Sequence, residues 1–228
     1  MNKASKRLRS SPDPLEAART KERLIEAAIK EFAEHGLSGA RVEQIAERAD
    51  INKQAIYYYF KDKDDLYSFA LERCYELAHR NDDRLTFPGK SGYDSIAALI
   101  ESVFDDLNEM RDVIAIVSDE NRNKGRHLPN QHIRSINRPA IDAIAVILKK
   151  GETDGTIRSG IDAEHLWISI LSLIMFYFTN AFTLSHLLNR DLLARGKVIE
   201  RKNHIKELVL ASLRPQLDAP CRELSASV

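Results

Sequence analysis

Residues 39–67 read GARVEQIAERADINKQAIYYYFKDKDDLY, and this stretch determines the predicted fold. Its apolar residues recur at helical spacing and form two short helices, which are separated by Asp50-Ile51-Asn52. Asn52 is a suitable N-cap for the second helix, because its side chain can accept a hydrogen bond from a first-turn amide. Two short helices joined by a three-residue turn predict a helix-turn-helix, which places its second helix in the major groove of DNA.

The second helix of this motif carries the candidate DNA contacts. Ile56 and Phe60 lie four residues apart and are expected to pack inward. Lysine donates to guanine and glutamine pairs with adenine, so Lys53 and Gln54 are the predicted base readers. Tyrosine hydroxyls and a further lysine suit phosphates. The other candidates are Asn52, Tyr57, Tyr58, Tyr59 and Lys63. Consecutive tyrosines are also common as packing residues, and Tyr58 is expected to be half-buried.

Helical spacing continues along almost the whole chain, which predicts an all-α protein. The first helix is expected to begin near Thr20 and to end at Gly36. Pro88-Gly89 and Ser91-Gly92 mark the clearest break in the pattern. The predicted organisation is a flexible basic arm (1–18), a three-helix helix-turn-helix domain (19–80), a linker (81–92), a second helical domain (93–216) and a tail (217–228).

The charges of the chain balance, with 34 basic and 34 acidic residues among 228. Composition therefore gives no sign of a nucleic-acid partner, and the prediction of DNA binding depends on the local motif. Cys74 and Cys221 are too few for a disulfide framework or a zinc site, which indicates reduced thiols and a cytoplasmic location. The N-terminus lacks the apolar core of a signal peptide, and polar residues interrupt the apolar stretch 166–182, so we expect no membrane span.

The motif resembles the TetR family of bacterial one-component transcriptional regulators. The family pattern has a glycine after the first helix, then V-x-x-I-A-x-x-A, and then L-Y-x-Y-F-x-x-K-x-x-L. The matching residues are Gly36, Val42, Ile45, Ala46, Ala49, Ile56, Tyr57, Tyr59, Phe60, Lys63 and Leu66. The resemblance covers about residues 20–70 without gaps. It implies sequence-specific DNA binding and adds a phosphate contact near Arg41.

Two positions depart from the family pattern. The family usually has a threonine that caps the second helix, where this chain has Ala40, so that cap is lost unless Ser38 replaces it. The turn usually has glycine, where this chain has Asp50. If Asp50 is left-handed, its Cβ strains the turn.

The resemblance also implies a C-terminal domain that binds a small-molecule effector and dimerises through its last two long helices, with the protein acting as a repressor that the effector releases. The residues agree on the architecture. One helix, from Asp162 to Leu188, is apolar on more than one face, and a final helix runs from Val198 to Leu213. We expect a homodimer through residues 163–189 and 197–214, matched to a palindromic operator. The helix that precedes them is expected to kink or break at Pro139.

The candidate effector contacts are polar or aromatic residues that lie among apolar ones. They are Phe104, Asn121, Arg122, His127, Tyr177 and Asn180. Residues of these types also serve as core, cap or surface groups, so this alternative stays open. No catalytic residue, metal site or cofactor is predicted.

Two other functions are alternatives to DNA binding for a helical chain. A helical-bundle metalloenzyme needs two Glu-x-x-His pairs. This chain has one, Glu76 with His79, while Asp162 with His165 has the same spacing at a position where capping explains the aspartate. A helical protein-interaction module without DNA recognition is the other alternative, and the basic and polar residues kept on the recognition helix argue against it.

Overall fold

The computed structural model describes residues 13–79, 86–128 and 132–215, and these ranges contain helices and no strand. The helices are α1 (Pro14–Gly39), α2 (Val42–Arg48), α3 (Lys53–Tyr59), α4 (Lys63–His79), α5 (Gly92–Glu109), α6 (Arg111–Arg122), α7 (His132–Thr153), α8 (Ala163–Thr179), α9 (Ala181–Leu187) and α10 (Arg195–Leu213). The all-α prediction is confirmed. The predicted tail (217–228), Cys221 and most of the predicted arm lie outside the described residues.

Helix α1 begins earlier than the sequence pattern predicted. The Asp13 side chain accepts a hydrogen bond from the Leu15 amide at 3.1 Å, and Pro14 occupies the first helical position, where its missing amide hydrogen is not needed. The start expected near Thr20 is therefore wrong. The Asp-Pro pair is a signal for a helix start, and the basic arm cannot extend to residue 18.

The chain divides into two compact units. The first unit contains the chain up to Cys74 together with Ala115–Leu128, and the second contains Tyr75–Ile114 and the chain from Pro129 onward. The predicted domain boundary in residues 81–92 differs from this division, because part of α6 belongs to the first unit. The unit that holds the helix-turn-helix is thus built from two separate stretches of sequence.

The second unit is a helical bundle around one hydrophobic cluster. Helices α5, α7, α8 and α10 pack around it. Its fully buried side chains include Ile96, Leu99, Ile100, Phe104, Ile144, Ile170, Ile174 and Ile205. Two glycines set the approach of α5 to α7, because a Cβ atom at Gly92 would lie 2.3 Å from the Cα atom of Gly151. Helix α7 continues past Pro139, so the alternative of a break there is wrong.

The long apolar helix expected from Asp162 to Leu188 is wrong, because α8 and α9 are separate helices that meet at 67°. Asn180 lies between them with φ −108° and ψ 9°. Its side-chain amide donates to the Phe176 carbonyl oxygen at 3.0 Å and to the Thr179 hydroxyl at 2.9 Å. Such bonds compete with the helical hydrogen-bond pattern, so the chain changes direction at Thr179 and Asn180, two of the polar residues that interrupt the apolar stretch.

Within the described ranges, no single helix has both the length and the apolar composition of a membrane span. The bent pair α8 and α9 reaches those values only when the two helices are taken together.

Candidate nucleic-acid interface

The first unit contains the predicted helix-turn-helix. Helix α2 ends at Arg48, the turn follows, and α3 begins at Lys53. Asp50 in the turn has φ 51°. This is the left-handed region, where the Cβ atom of any residue other than glycine strains the backbone. The Asn52 side chain accepts a hydrogen bond from the Gln54 amide at 2.9 Å, so the predicted N-cap of α3 is confirmed. Asn52 therefore has a structural role, because its side chain stabilises the start of α3.

Helix α3 buries one side and exposes the other. Ile56 and the Phe60 that follows the helix are each 1% exposed, as the spacing predicted. Tyr57 is 52% exposed and Tyr58 is 71% exposed, so the expectation of a half-buried Tyr58 is wrong. Lys53 and Gln54 are also exposed. Residues 53, 54, 57 and 58 are spaced so that they share one helical face, and this face can enter a groove of DNA.

Lys53 has a partner within the motif. Its Nζ atom lies 2.5 Å from Oε1 of Glu43 on α2. A hydrogen bond to Glu43 and the charge of that carboxylate raise the pKa of Lys53. The lysine is therefore positively charged at neutral pH, and the ion pair holds it at the start of α3, where a guanine or a phosphate would compete with Glu43 for it.

The remaining predicted contacts lie around this face. Tyr59 is half-buried, and its ring packs edge-on against Tyr58 with the ring centroids 5.0 Å apart. Arg41 is exposed at the start of α2. The Lys63 ammonium donates to the Ala40 carbonyl oxygen at 3.2 Å, so this lysine connects the start of α4 to the residue that ends α1. A role of Lys63 in structure was not expected from the sequence.

A buried carboxylate, which the sequence argument missed, positions α2. Glu31 of α1 is 2% exposed. Its Oε1 accepts a hydrogen bond from the Arg41 amide at 3.2 Å, and its Oε2 lies 3.3 Å from Nε of Arg48. Arg41 occupies the N-cap position of α2 and provides no side-chain cap, so neither Ala40 nor Ser38 caps this helix. Glu31 instead contacts α2 at its start and in its last turn.

A second buried carboxylate connects α6 to α1 and α4 within the first unit. Helix α1 is interrupted at Gly36, which has φ 66° and ψ 172°. Asp119 of α6 accepts hydrogen bonds from the Leu37 amide at 2.8 Å and from the Tyr67 hydroxyl at 3.1 Å. Arg122 donates to its other oxygen at 2.6 Å. Because the interruption removes the helical acceptor of the Leu37 amide, Asp119 takes the place of that acceptor.

Asp119 and Tyr67 have shifted pKa values that determine their protonation states at neutral pH. Burial opposes the charged form of Asp119, but the hydrogen bonds from Leu37, Arg122 and Tyr67 together hold its pKa below the ordinary value. Burial raises the pKa of Tyr67, and the neighbouring Asp119 carboxylate raises it further. At neutral pH the pair is therefore a carboxylate that accepts a hydrogen bond from a neutral phenol.

The six candidate effector contacts fall in two groups. Three lie in the second unit: Phe104 is fully buried in the core, the buried Tyr177 hydroxyl donates to the Leu192 carbonyl oxygen, and Asn180 joins α8 to α9. The other three, Asn121, Arg122 and His127, lie in the first unit.

Local contacts account for the candidates of the first unit. The Asn121 side chain donates to the Val117 carbonyl oxygen at 3.0 Å, and Arg122 pairs with Asp119. The buried His127 ring lies 2.8 Å from a Glu120 carboxylate oxygen. Each of these side chains therefore contacts a residue of α6. Asn121 and Arg122 lie on that helix, and His127 follows it.

The metalloenzyme alternative finds no support in the described residues. The Asp162 side chain accepts a hydrogen bond from the His165 amide at 2.7 Å, as expected for a cap, and Glu76 is exposed. Among the residues that the structure describes, one group of three potential ligands exists, Glu31, Glu34 and His35. Both of its carboxylates are paired with Arg48, which accounts for the group without a metal.

Two family models match the chain. Residues 24–68 match the model described as bacterial regulatory proteins, tetR family, and residues 93–209 match the model of the tetracyclin repressor-like C-terminal domain. The first match covers the helix-turn-helix, and the second covers most of the second unit.

Relatives and solved structures agree with the family models. The chain is 30% identical over 200 residues to the HTH-type transcriptional repressor NicS of Pseudomonas putida, covering 87% of this chain and 94% of that protein. It is 50% identical over 54 residues to the HTH-type transcriptional repressor SCO4008 of Streptomyces coelicolor, covering 24% of this chain and 28% of that protein.

The fold is shared with the regulator FadR from Bacillus subtilis, solved in complex with stearoyl-CoA (TM-score 0.62, 23% identity, 85% of this chain and 99% of that one). It is also shared with the transcriptional regulator SCO4942 from Streptomyces coelicolor (TM-score 0.62, 22% identity, 86% and 99%). With the helix-turn-helix in place, both halves of the chain matched and a repressor aligned over nearly its full length, the chain belongs to the TetR family and is a DNA-binding transcriptional repressor rather than an enzyme.

Proposed function

We propose that this protein is a homodimeric repressor that reads a palindromic operator with α3 and is released from it by a small-molecule effector. The exposed face of α3 supports this proposal most directly. It presents Lys53 and Gln54 beside Tyr57 and Tyr58, while Ile56 fixes the opposite side of the helix in the core. Because the DNA is the target, we place the protein in the cytoplasm.

Within this proposal, Lys53 and Gln54 read bases, while the other predicted residues hold the phosphates and set the docking angle. The contacts assigned to phosphates are Arg41, Asn52, Tyr57, Tyr58, Tyr59 and Lys63. Lys63 and Asn52 also hold the motif together, so their substitution affects both folding and binding.

The test is a DNA titration by fluorescence anisotropy at physiological salt, with the region that flanks the protein's own gene and an unrelated duplex of equal length. The wild type is expected to prefer the first by about 10³-fold or more. Replacing both Lys53 and Gln54 by alanine is expected to remove about 1–3 kcal/mol of discrimination for each lost base contact.

Lys149→Ala is the matched control, because it removes one exposed positive charge in the second unit. This variant should bind as the wild type does. If the wild type bound both duplexes equally, the attraction would be to phosphates alone, and base reading by α3 would be refuted.

Dimerisation is proposed through the surface that α8, α9 and α10 expose. The large apolar side chains exposed there are Ile168, Phe176, Phe182, Leu187, Leu188, Ile199 and Leu208. Phe182 is 81% exposed, and a group of such side chains is typical of a protein–protein interface. Sedimentation of Phe176→Asp and Leu208→Asp should show monomers, whereas the control Val146→Asp on α7 should sediment as a dimer. Dimers in all three variants would contradict this interface.

The effector is proposed to bind the second unit. FadR, which shares the fold, binds stearoyl-CoA, and Phe104 and Tyr177 remain our candidate contacts in this chain. Asn180 remains a proposal of lower rank, since local hydrogen bonds account for its position. Asn121, Arg122 and His127 lie in the first unit, where local contacts account for their positions. A thermal-shift screen of metabolites tests the proposal, because a ligand at about 100 times its Kd adds roughly 2.7 kcal/mol of stability.

A further inference from the structure

A cleft of about 390 Å³ opens in the second unit, between the end of α5, the start of α6 and the first turns of α10. It lies among residues to which neither the motif nor the predicted effector contacts assign a role. Its volume is at the lower end of the roughly 300–1,000 Å³ that is usual for ligand sites, so it suits a small molecule.

The cleft has an excess of positive charge. Arg111, Arg195 and Lys202 line it together with one acidic residue, Asp105. Lys202 is neutralised, since its Nζ lies 2.9 Å from Asp105. Arg111 donates to the neutral Asn108, to its side-chain oxygen at 2.7 Å and its carbonyl oxygen at 3.2 Å. In the described parts of the chain, neither Arg111 nor Arg195 forms an ion pair, so two charges face the cleft without a counter-charge.

The start of α10 adds to the positive electrostatic potential of the cleft. Its N-cap residue, Ala194, has no side chain that can cap the helix, and its first turn contains no acidic residue. Instead the turn carries Arg195 and Lys197, of which only Lys197 is paired, with Glu200 at 2.7 Å. Cations are unfavourable at the positive end of a helix dipole, and a departure from a local rule is expected where a site is functional.

We propose that this cleft binds a small organic carboxylate, which pairs with Arg111 and Arg195. The planar guanidinium group matches a carboxylate with two parallel hydrogen bonds. A cation–π contact helps to position Arg111, because its guanidinium lies 5.5 Å from the centroid of the Phe178 ring. Leu193 and Val198 contribute apolar surface to the lining, against which the body of the ligand packs.

The identification of this carboxylate as the effector rests on the proposed function. Arg111 is the first residue of α6, and the same helix carries Asp119, which holds α1 and α4 in the first unit. A ligand that pairs with Arg111 therefore acts on a helix whose later part, from Ala115 onward, belongs to the unit that holds the helix-turn-helix. The ligand competes with Asn108 for the guanidinium, so binding changes the contacts at the start of α6.

Isothermal titration of the full chain with hexanoate and with benzoate tests the proposal, and hexanamide and benzamide serve as neutral probes of equal shape. We expect the acids to bind and the amides to bind at least tenfold more weakly. Arg195→Ala and Arg111→Ala should each weaken acid binding at least tenfold, while Lys149→Ala, which removes an equal charge outside the cleft, leaves it unchanged. Arg195 is exposed, so its replacement keeps the fold intact.

Amides that bound as tightly as the acids would overturn the proposal, as would arginine variants with unchanged affinity. Inorganic phosphate that bound as tightly as hexanoate would refute the role of the apolar lining. Operator affinity of the ligand-free protein is measured separately. If DNA binding were intact and no carboxylate bound, the cleft would be refuted and the proposed repressor function would stand.

Discussion

The Asp119 carboxylate accepts a hydrogen bond at 2.8 Å from the backbone amide of Leu37, a residue 82 positions earlier in the chain. The amide is left without a helical acceptor by the interruption at Gly36, and the carboxylate is buried beside it. This contact joins the end of α1, just before the helix-turn-helix, to a helix from a distant part of the sequence. It also determines how several substitutions should behave.

Removing this carboxylate should destabilise the protein strongly. Asp119→Ala leaves the buried Leu37 amide without its acceptor and the Tyr67 hydroxyl with the more distant Ile116 carbonyl oxygen, at 3.4 Å, and the expected loss is about 3 kcal/mol. Urea unfolding followed by circular dichroism measures this loss. Glu26→Ala, which removes an exposed carboxylate from α1, should cost less than about 0.5 kcal/mol. Equal effects of the two variants would mean that the Asp119 contacts contribute nothing specific.

The contribution of Asp119 should depend on pH. Its pKa in the folded protein is lowered, so folding favours the charged form. The stabilisation is therefore complete above the unfolded value of about 3.9, and it is lost as the pH falls through the lower folded pKa. The difference in unfolding free energy between wild type and Asp119→Asn should be constant from pH 8 to pH 5 and should shrink below about pH 4. A difference that grew on acidification would contradict this assignment.

Gly36→Ala should be more harmful than the same change at another left-handed glycine. Both Gly36 and Gly155 have positive φ, at 66° and 72°, but a Cβ at Gly36 would lie 2.9 Å from Oδ1 of Asp119, whereas none of the described atoms lies within 4 Å of one at Gly155. We expect a loss of about 1 kcal/mol at Gly155 from backbone strain and about 2–4 kcal/mol at Gly36 from strain and overpacking together. Thermal unfolding of the two variants measures both losses of stability. Equal losses would show that overpacking against Asp119 contributes nothing at Gly36.

Asp50→Gly should relieve the turn of the helix-turn-helix. Asp50 has φ 51°, which costs a residue with a Cβ about 1–2 kcal/mol, while glycine loses about 0.5–1 kcal/mol in chain entropy. The variant should gain up to about 1 kcal/mol in unfolding free energy and should keep its operator affinity. A loss of stability would show that the Asp50 side chain makes a favourable interaction that outweighs the strain.

Glu31→Ala should weaken DNA binding as well as folding. It removes the acceptor of the Arg41 amide and the partner of Arg48, so α2 loses its contacts with α1 at both ends. We expect a loss of about 2–3 kcal/mol in stability and a clear drop in operator affinity at temperatures where the variant is still folded. Glu47→Ala, an exposed change on α2, is the control. Unchanged DNA affinity in Glu31→Ala would show that α2 keeps its position without the contacts from Glu31.

The features predicted well from the sequence are those that local signals encode. Asn52 as the cap of α3 and the inward pair Ile56 and Phe60 depend on residues a few positions apart, and the structure confirms them. The half-burial expected of Tyr58 was wrong, because exposure depends on what covers a helix rather than on the residue type.

Long-range contacts could not be predicted in the same way. Glu31 and Asp119 both lie at positions where helical spacing places buried residues, and an acidic residue at such a position is the signal that was available. The partners of these carboxylates depend on tertiary structure. The turn between α8 and α9 was missed for a related reason. Thr179 and Asn180 interrupt the apolar stretch, but polar residues also occur inside helices, and the hydrogen bonds of Asn180 mark the change of direction.

The division of the chain has a consequence for protein engineering and for evolution. The simplest exchange of DNA-recognition modules between relatives would cut the chain once, after the helix-turn-helix. Here a graft of the first 80 residues would leave behind Ala115–Leu128, and with it the acceptor of the Leu37 amide. A transplanted specificity module would need both stretches, or a recipient that supplies an acidic residue at the position of Asp119. We therefore expect a single-cut exchange to keep the first unit stable only where both parents share this contact.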